Sequence, residues 1–412
     1  METQLHNSFL HLSLNALQDK PDEAAVISPF SVAMALATVN EGARGATQQE
    51  ITDKVFAGIQ TPEVADWFKS HLADLKNKTF HLLSSKGLAE LNAFNIASGV
   101  YLHESLNLQN SYGTVVTENF DCKVERMDFV SNPEKARSVI NEFVSEATEK
   151  TIPELLKPCA IRPTTKIAIA SAMSLKAKFA SPFYERDTEE DAFYNDDGSV
   201  KKVPMMNGVL DGKFYDNDDF AYAQLELDQI DCSFFILVPK TGTLSQLKDN
   251  LASSPDLLSS VFSNAFWIPK LYIAVPKFKS DVSYDLVHVL QRIGINHLFG
   301  AADLSGIATG PMNVDHVAHQ AVIELEEGGM TKAAATAFTF WKESILDNRE
   351  RHIKADKPFL YGIINKGVPL FVGQFYSTTD PEYVNPPSWT PTFSAPVPDE
   401  EANSHLDSDS DE

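Results

Sequence analysis

The sequence has few cysteines, no long apolar run and no excess of basic residues. Its 412 residues include three cysteines, Cys122, Cys159 and Cys232. Their odd number and wide spacing are not those of a disulfide framework or a zinc site. No apolar run approaches about 18 residues, so a transmembrane helix is not expected. The formal net charge of −23 disfavours nucleic acid and anionic membranes as partners, because both require a basic surface.

Signatures of catalysis are also absent. The sequence contains no G-x-S-x-G elbow, no P-loop and no H-E-x-x-H motif. His316 and His319 are three residues apart, and on a strand such residues point to opposite faces, so they cannot share a metal ion. We therefore expect hydrogen-bonded histidines in place of a metal site, no cofactor, and no enzymatic activity.

The first residues have the pattern of a mature helix. Leu5, Phe9, Leu12 and Ala16 fall at helical spacing with polar residues between them, unlike the apolar core of a signal peptide. Together with the cysteine content, this predicts a protein of a reducing compartment, the cytoplasm, with an extracellular location as the alternative.

Helix signals concentrate in the first third of the chain, and strand signals in the remainder. Ser28-Pro29 and Asn132-Pro133 are typical helix starts, and a third helix is predicted near Val282 to Ile293. This order indicates an α+β protein. The strongest strand candidates are Lys166–Leu175, Cys232–Val238, Leu271–Phe278, Ala318–Leu325, Pro358–Ile364 and Leu370–Phe375.

The C-terminal part differs from the rest in composition. Beyond Thr379 there are nine acidic residues, no Lys or Arg, and many prolines. Such a segment cannot bury enough apolar surface to order itself. We predict a compact domain over residues 1–378 and a disordered tail over 379–412, which is either simply solvated or a docking segment for a partner.

The segment that follows the strand near Leu325 has an unusual composition. Two acids and two glycines at 326–329 suggest a hinge, and no Gly or Pro occurs from Met330 to Lys357. Surface loops normally contain these residues, whereas a central strand must avoid Pro. A short helix-prone piece around Ala333 is the structural alternative. We interpret the segment as a loop that can be taken up by a sheet.

Five ordered sequence blocks resemble those of the serpin family across about residues 1–378. In sequence order they are Val26–Ser31 with Gly42–Thr47, Phe193 with Val203–Met206, His319–Glu324, Asp356–Tyr361, and Leu370–Gly373. The resemblance implies the serpin fold, an α+β architecture with three β-sheets, about eight or nine helices and an exposed reactive-centre loop.

The resemblance also implies an activity and a set of site residues. A serpin is cleaved in its loop as a suicide substrate of a serine or cysteine protease, and the loop then inserts into the main sheet. The implied partner is that protease, and the implied state is a monomer. Family spacing places the scissile bond at Ser344-Ile345. The hinge and inserting residues are Glu327, Gly328, Gly329, Thr331, Ala333, Ala335 and Ala337, with the last four facing the core. The sheet-opening region comprises Ser28, Ser31, Ser171, Phe179 and His319.

Two positions depart from the family pattern. The family usually has Asn at Ser171 and Trp at Phe179, and the shorter hydroxyl of Ser171 is expected to alter the hydrogen bonds that control opening of the sheet. Two functions follow from the sequence. The first is an irreversible protease inhibitor, and the second is a non-inhibitory serpin that acts as a carrier, chaperone or binding scaffold.

Overall fold

The computed structural model describes residues 1–77, 83–84, 87–88, 94–228, 230–254, 256–327 and 350–377. Within these ranges it has nine α-helices. They are α1 Glu2–Leu17, α2 Pro29–Gly42, α3 Gly45–Val55, α4 Thr61–Asn77, α5 Asn110–Phe120, α6 Pro133–Ala147, α7 Leu244–Ser253, α8 Asp256–Asn264 and α9 Val287–Arg292.

Strands occupy most of the second half of the chain. They are β1 Ala25–Ile27, β2 Leu83–Ser84, β3 Gly87–Leu88, β4 Phe94–His103, β5 Asn107–Leu108, β6 Lys123–Met127, β7 Ile167–Lys178, β8 Thr188–Tyr194, β9 Val200–Asp216, β10 Phe220–Glu226, β11 Ser233–Pro239, β12 Phe266–Pro276, β13 Lys279–Asp285, β14 Ala308–Thr309, β15 Val314–Glu326, β16 Arg351–Lys354, β17 Phe359–Asn365 and β18 Val368–Phe375.

The large strands form three sheets, two of which share a strand. The first sheet has five strands in the order β13-β15-β7-β4-β6. Nine further strands are hydrogen-bonded in one series. Its order is β1-β18-β17-β11-β10-β9-β12-β16, and β8 also pairs with β9. This series contains the second and third sheets, and the 17-residue strand β9 belongs to both. Its first part pairs with β8, its middle with β12 and its end with β10. The predicted α+β, three-sheet architecture is confirmed.

Two predicted helix starts are confirmed, with one difference in detail. Ser28 caps α2, since its Oγ accepts a hydrogen bond from Ser31 N at 3.1 Å, and Pro29 occupies the first turn. α6 begins at Pro133 as predicted. The side chain of Asn132 does not cap it, however, and donates instead to Asp128 Oδ2 at 3.1 Å.

The third predicted helix is wrong over its first half. Residues Lys279–Asp285 form strand β13, and the helix α9 covers only Val287–Arg292. In this strand alternate residues, Ser280 and Tyr284 among them, are buried. The helical spacing of apolar residues therefore begins only at Leu286, which is fully buried.

Apolar side chains are buried in three layers. The main core lies between the five-stranded sheet and the rest of the body, and it includes residues of α2, β7 and β15. A second cluster packs α1, α7 and α8 on β10 and β11. A third packs α6 on the outer face of the five-stranded sheet, where the sheet offers small side chains such as Ala168, Ala170 and Ala172. Among the described residues, no helix has the length and apolarity needed to span a membrane.

Candidate functional site

The centre of the five-stranded sheet contains a seam between two parallel strands. β7 and β15 run parallel from the pair Ile167/Val314 to the pair Lys178/Glu326. Their outer neighbours, β4 and β13, are both antiparallel to them. We call the β7/β15 junction the seam. It is the boundary into which an antiparallel strand could enter and be antiparallel to both neighbours.

The two faces of the seam have different environments. On β7, Ile169, Met173 and Leu175 belong to the main core, whereas Ala168, Ala170 and Ala172 lie on the face covered by α6. On β15, Val317, Ala321, Ile323 and Leu325 belong to the main core in the same alternation. Any strand placed in the seam must therefore present every second side chain to a closely packed interior.

One helix terminus is hydrogen-bonded to both strands of the seam. On the β15 side, Ser28 N at the start of α2 donates to His319 Nε2 at 3.0 Å. On the β7 side, Ser171 Oγ donates to Ser31 Oγ at 3.2 Å, and Ser28 Oγ donates to Met173 Sδ at 3.1 Å. We call these five residues the seam cluster. The structure thus brings together four of the five residues that the sequence assigns to sheet opening.

His319 is neutral in the folded protein. Its ring is completely buried, and this burial lowers its pKa to about 3, which outweighs the opposing effect of the Ser171 backbone. Ser171 lies directly opposite His319 across the seam. The contact with Ser171 is not a well-formed hydrogen bond, because Nδ1 has no partner of ordinary geometry among the described residues. The Ser171 hydroxyl donates its hydrogen bond to Ser31 Oγ. It therefore does not serve as a partner for His319 Nδ1.

Phe179, the fifth residue of the predicted opening region, lies just beyond the end of β7 and away from the seam cluster. It is buried and makes edge-to-face contacts with Phe183 and Phe234, at ring-centroid distances of 5.1 and 5.6 Å. Its backbone forms an isolated bridge with Leu227. Phe179 therefore joins the end of the seam to the neighbouring sheet by ring packing and by this backbone bridge.

The end of β15 is fixed by a buried carboxylate. Glu327 Oε1 accepts a hydrogen bond from Thr188 Oγ1 at 2.8 Å, and Lys277 Nζ donates to Glu327 Oε2 at 2.7 Å. The Glu327 side chain is 6% exposed and that of Lys277 is 48% exposed. We call this group the hinge anchor. It attaches Glu327, a residue of the predicted hinge, to β8 and to the turn after β12.

Several site residues were not predicted from the sequence. Met173 has an ordinary strand side chain, and only its distance from Ser28 Oγ reveals its role. Thr188 and Lys277 are far from Glu327 along the chain, and no local motif marks them. The other predicted hinge and loop residues lie outside the described residues. They are Gly328, Gly329, Thr331, Ala333, Ala335, Ala337, Ser344 and Ile345.

The two histidines of β15 have separate partners. His316 Nδ1 lies 2.9 Å from Asp285 Oδ2, whereas His319 accepts from Ser28. Over the described ranges, no group of three or more His, Cys, Asp or Glu side chains could hold a metal ion.

A cavity of about 240 Å³ is lined by residues that belong neither to the seam cluster nor to the hinge anchor. Its lining is polar and includes Asp22, Asp196, Asp197, Lys201 and Tyr376. Burial raises the pKa of Asp196, with a further contribution from the nearby Asp22. Pockets for small organic ligands are mostly apolar and measure roughly 300–1,000 Å³. This cavity is smaller than that range, and several charged side chains line it.

Comparison with known proteins identifies the family. The model of the serpin (serine protease inhibitor) family matches residues 6–378. An uncharacterized serpin-like protein of Thermococcus kodakarensis is 31% identical over 359 residues, which are 86% of this chain and 80% of that protein.

Two solved structures show the same fold. The mouse protein-Z dependent protease inhibitor has a TM-score of 0.76 and 24% identity, with 90% of this chain and 97% of that chain covered. Human thyroxine-binding globulin in complex with thyroxine has a TM-score of 0.75 and 22% identity, with the same coverage. The family match, the relative and the fold agree, and the chain belongs to the serpin family.

Proposed function

We propose that this chain is an irreversible protease inhibitor that acts as a suicide substrate. A serine or cysteine protease binds the segment after Glu327 and cleaves it at Ser344-Ile345. The segment then enters the seam as a new strand and traps the acyl-enzyme. Most serpins inhibit proteases, and the observation that best supports this activity here is the parallel β7/β15 seam, which ends next to the segment.

The topology favours insertion at this place. Residues that continue from β15 through a turn at the hinge run antiparallel to β15, and hence antiparallel to β7. Insertion replaces one parallel ladder with two antiparallel ladders, which are slightly more stable per residue. The segment 328–344 is somewhat longer than the 13 residues of β15, so it can form a turn and still span the full seam.

The composition of the segment is suited to the seam. In the proposed register Thr331, Ala333, Ala335 and Ala337 face the main core, which is already closely packed and accepts small side chains. Lys332 then faces outward. The opposite register would bury the Lys332 ammonium group without a partner, at a cost of several kcal/mol.

The chemistry of trapping is that of an interrupted hydrolysis. The protease nucleophile attacks the carbonyl carbon of Ser344, the bond to Ile345 breaks, and the nitrogen of Ile345 leaves with a proton as a free amine. The acyl-enzyme then moves along the sheet with the inserting strand, by roughly 40 Å for 13 residues at about 3.3 Å each. Distortion of the oxyanion hole prevents the water attack, since loss of one donor there already slows such a step ~10²–10³-fold.

The seam cluster and the hinge anchor control when insertion begins. The seam cluster holds β7 and β15 to the same helix terminus, and insertion must separate Ser171 from His319. The hinge anchor holds Glu327, after which the inserting segment begins. Serine at position 171 makes one hydrogen bond to α2, and His319 Nδ1 has no partner of ordinary geometry in the described part of the chain, so we expect this seam to open more easily than one with a longer polar side chain.

The test is to cleave the segment with a non-target protease and to measure the melting temperature before and after. Insertion adds about a dozen backbone hydrogen bonds at roughly 1 kcal/mol each. The unfolding entropy of a body of this size is on the order of 0.8 kcal/mol/K, so we expect a rise of about 15 °C. A target protease should also form an SDS-stable complex.

A matched pair of variants tests the register. Ala333→Arg places a charge toward the core and should turn the inhibitor into a substrate. Ala334→Arg places the same charge on the opposite face of the inserted strand, away from the main core, and should preserve inhibition. Cleavage without a rise in melting temperature, and without an SDS-stable complex, would favour the non-inhibitory carrier or scaffold function.

A further inference from the structure

Exposed aromatic and apolar side chains collect beside the strand that follows the proposed reactive segment. Trp267 is 39% exposed, Phe266 40% and Val209 54%. They belong to β12 and β9, next to the edge strand β16. Large exposed apolar side chains that occur close together on a monomer are candidates for an interaction site.

The register places most of these side chains on one face. Val209 lies opposite Tyr272, and Tyr272 lies opposite His352, so the three form a row across β9, β12 and β16. Trp267 lies opposite Lys213, which is on the same side of β9 as Val209. Phe266 is instead paired with Phe214 and packs against its ring. We call Trp267, Val209, Tyr272 and His352 the aromatic face.

The face is fixed to the point where the reactive segment rejoins the body. The rings of Tyr272 and His352 stack at 4.6 Å with an interplanar angle of 13°. The Tyr272 hydroxyl donates to Glu350 Oε1 at 3.3 Å, and the Arg351 guanidinium lies 6.0 Å from the centre of the Phe266 ring. A preorganised aromatic surface loses little side-chain freedom on binding, which favours affinity.

Chain length limits how far a bound protease can be from this face. Only six residue steps separate Ile345 from Arg351, so a fully extended chain spans at most about 20 Å. A protease domain of ~230 residues has a radius of gyration of roughly 17 Å. A protease that holds the Ser344-Ile345 bond therefore has its own surface within reach of the aromatic face.

We propose that the aromatic face is a second docking surface for the target protease in the non-covalent complex that precedes cleavage. The inference rests on the proposed inhibitory function and adds a determinant of partner choice to it. The surface recognised on the protease is apolar at its centre, where Trp267 and Tyr272 of the aromatic face bind as anchors. It offers acceptor oxygens at its edge for His352 and Lys213.

The full chain is first mixed with trypsin, chymotrypsin, elastase and papain. The protease that forms an SDS-stable complex is then used in the experiment. Association rate constants are measured for wild type, Trp267→Ala, Trp267→Tyr and Val209→Ala. The matched control is Val130→Ala, because Val130 is 52% exposed and Val209 is 54% exposed but Val130 precedes α6, away from β9. Binding to the same protease with its nucleophile replaced by Ala measures the non-covalent step separately.

We expect Trp267→Ala to lower both the association rate constant and the non-covalent affinity about tenfold, and Val209→Ala to lower them severalfold. Trp267→Tyr should retain most of the binding, and Val130→Ala should equal wild type. The stoichiometry of inhibition and the rise in melting temperature after cleavage should be unchanged in all variants.

Three results would overturn the inference. If the Trp267 and Val209 variants inhibit as fast as wild type, the docking surface is refuted and the inhibitory function stands. If the wild-type chain forms a dimer that these variants abolish, a second copy covers the face. If no protease of the panel is trapped, the inhibitory function fails and the inference fails with it.

Discussion

The hinge anchor offers a quantitative test of how the seam is kept closed. Substitution of Lys277 by Met removes the ammonium group that compensates the Glu327 carboxylate but preserves most of the side-chain volume. The carboxylate would then be buried with a single hydrogen bond, from Thr188 Oγ1 at 2.8 Å. Because Glu327 belongs to the proposed hinge and directly follows β15, its release should favour opening of the seam.

The magnitude follows from the exposure of the two partners. Removal of one partner from a fully buried ion pair costs about 3–5 kcal/mol. Lys277 is 48% exposed while Glu327 is 6% exposed, so water can partly replace the ammonium group. We therefore expect a loss of about 2 kcal/mol, which corresponds to a fall in melting temperature of roughly 2–3 °C for a body of this size.

The assay is a double-mutant cycle followed by thermal and urea unfolding. Glu327→Gln removes the charge and keeps a hydrogen-bonding side chain, so it should cost less than Lys277→Met. The double variant should be more stable than Lys277→Met alone, because no uncompensated carboxylate remains. Equal losses for both single variants that simply add in the double variant would refute the coupling on which this argument depends.

Three further outcomes are expected. The folded pKa of His319, about 3, lies below its unfolded value of about 6.5, so its stabilising contribution is complete above pH 6.5 and is lost as the pH falls towards 3. His319→Gln should therefore reduce the slope of unfolding free energy against pH in this window by up to about 1.4 kcal/mol per pH unit. Of the three thiols, Cys159 is exposed and the other two are buried, so one thiol should react rapidly in the native protein, and Cys159→Ser should abolish that reaction. Gly42→Ala would place its Cβ about 2.9 Å from the backbone nitrogen of Ile307 and should destabilise the fold by roughly 1–3 kcal/mol, which urea unfolding would measure.

Much of the fold could be predicted because it depends on local patterns. Ser28-Pro29 starts α2 by capping geometry, and continuous apolar runs predicted strands such as β11 and β17, within one residue of their observed bounds. The incorrect prediction of a helix over the first half of residues 282–293 also comes from reading local patterns. Leu286 and Leu290 satisfy helical spacing, but the alternation of Ser280 and Tyr284 that produces β13 involves a hydroxyl and a phenol, which an apolar pattern overlooks.

The candidate site was only partly predictable. The resemblance gave the residues of the opening region, and four of them meet in the seam cluster. It gave neither Met173 as an acceptor for Ser28 nor Lys277 as the partner of Glu327. It also gave no indication that Phe179 would lie apart, in an aromatic group with Phe183 and Phe234. These contacts depend on which distant side chains the folded sheets bring together, and local sequence patterns do not show that.

The sequence by itself determined the family, the α+β class with several of its helix starts and strands, and a segment of small residues without Gly or Pro after residue 329. These properties follow from side-chain periodicity and backbone preference within a few residues. The tertiary structure decided what holds the seam closed: Ser171 bonded to Ser31 across 140 residues, and Ser28 bonded to His319 across 291. Such hydrogen bonds form only after packing has excluded water from both partners, and so they depend on the complete fold.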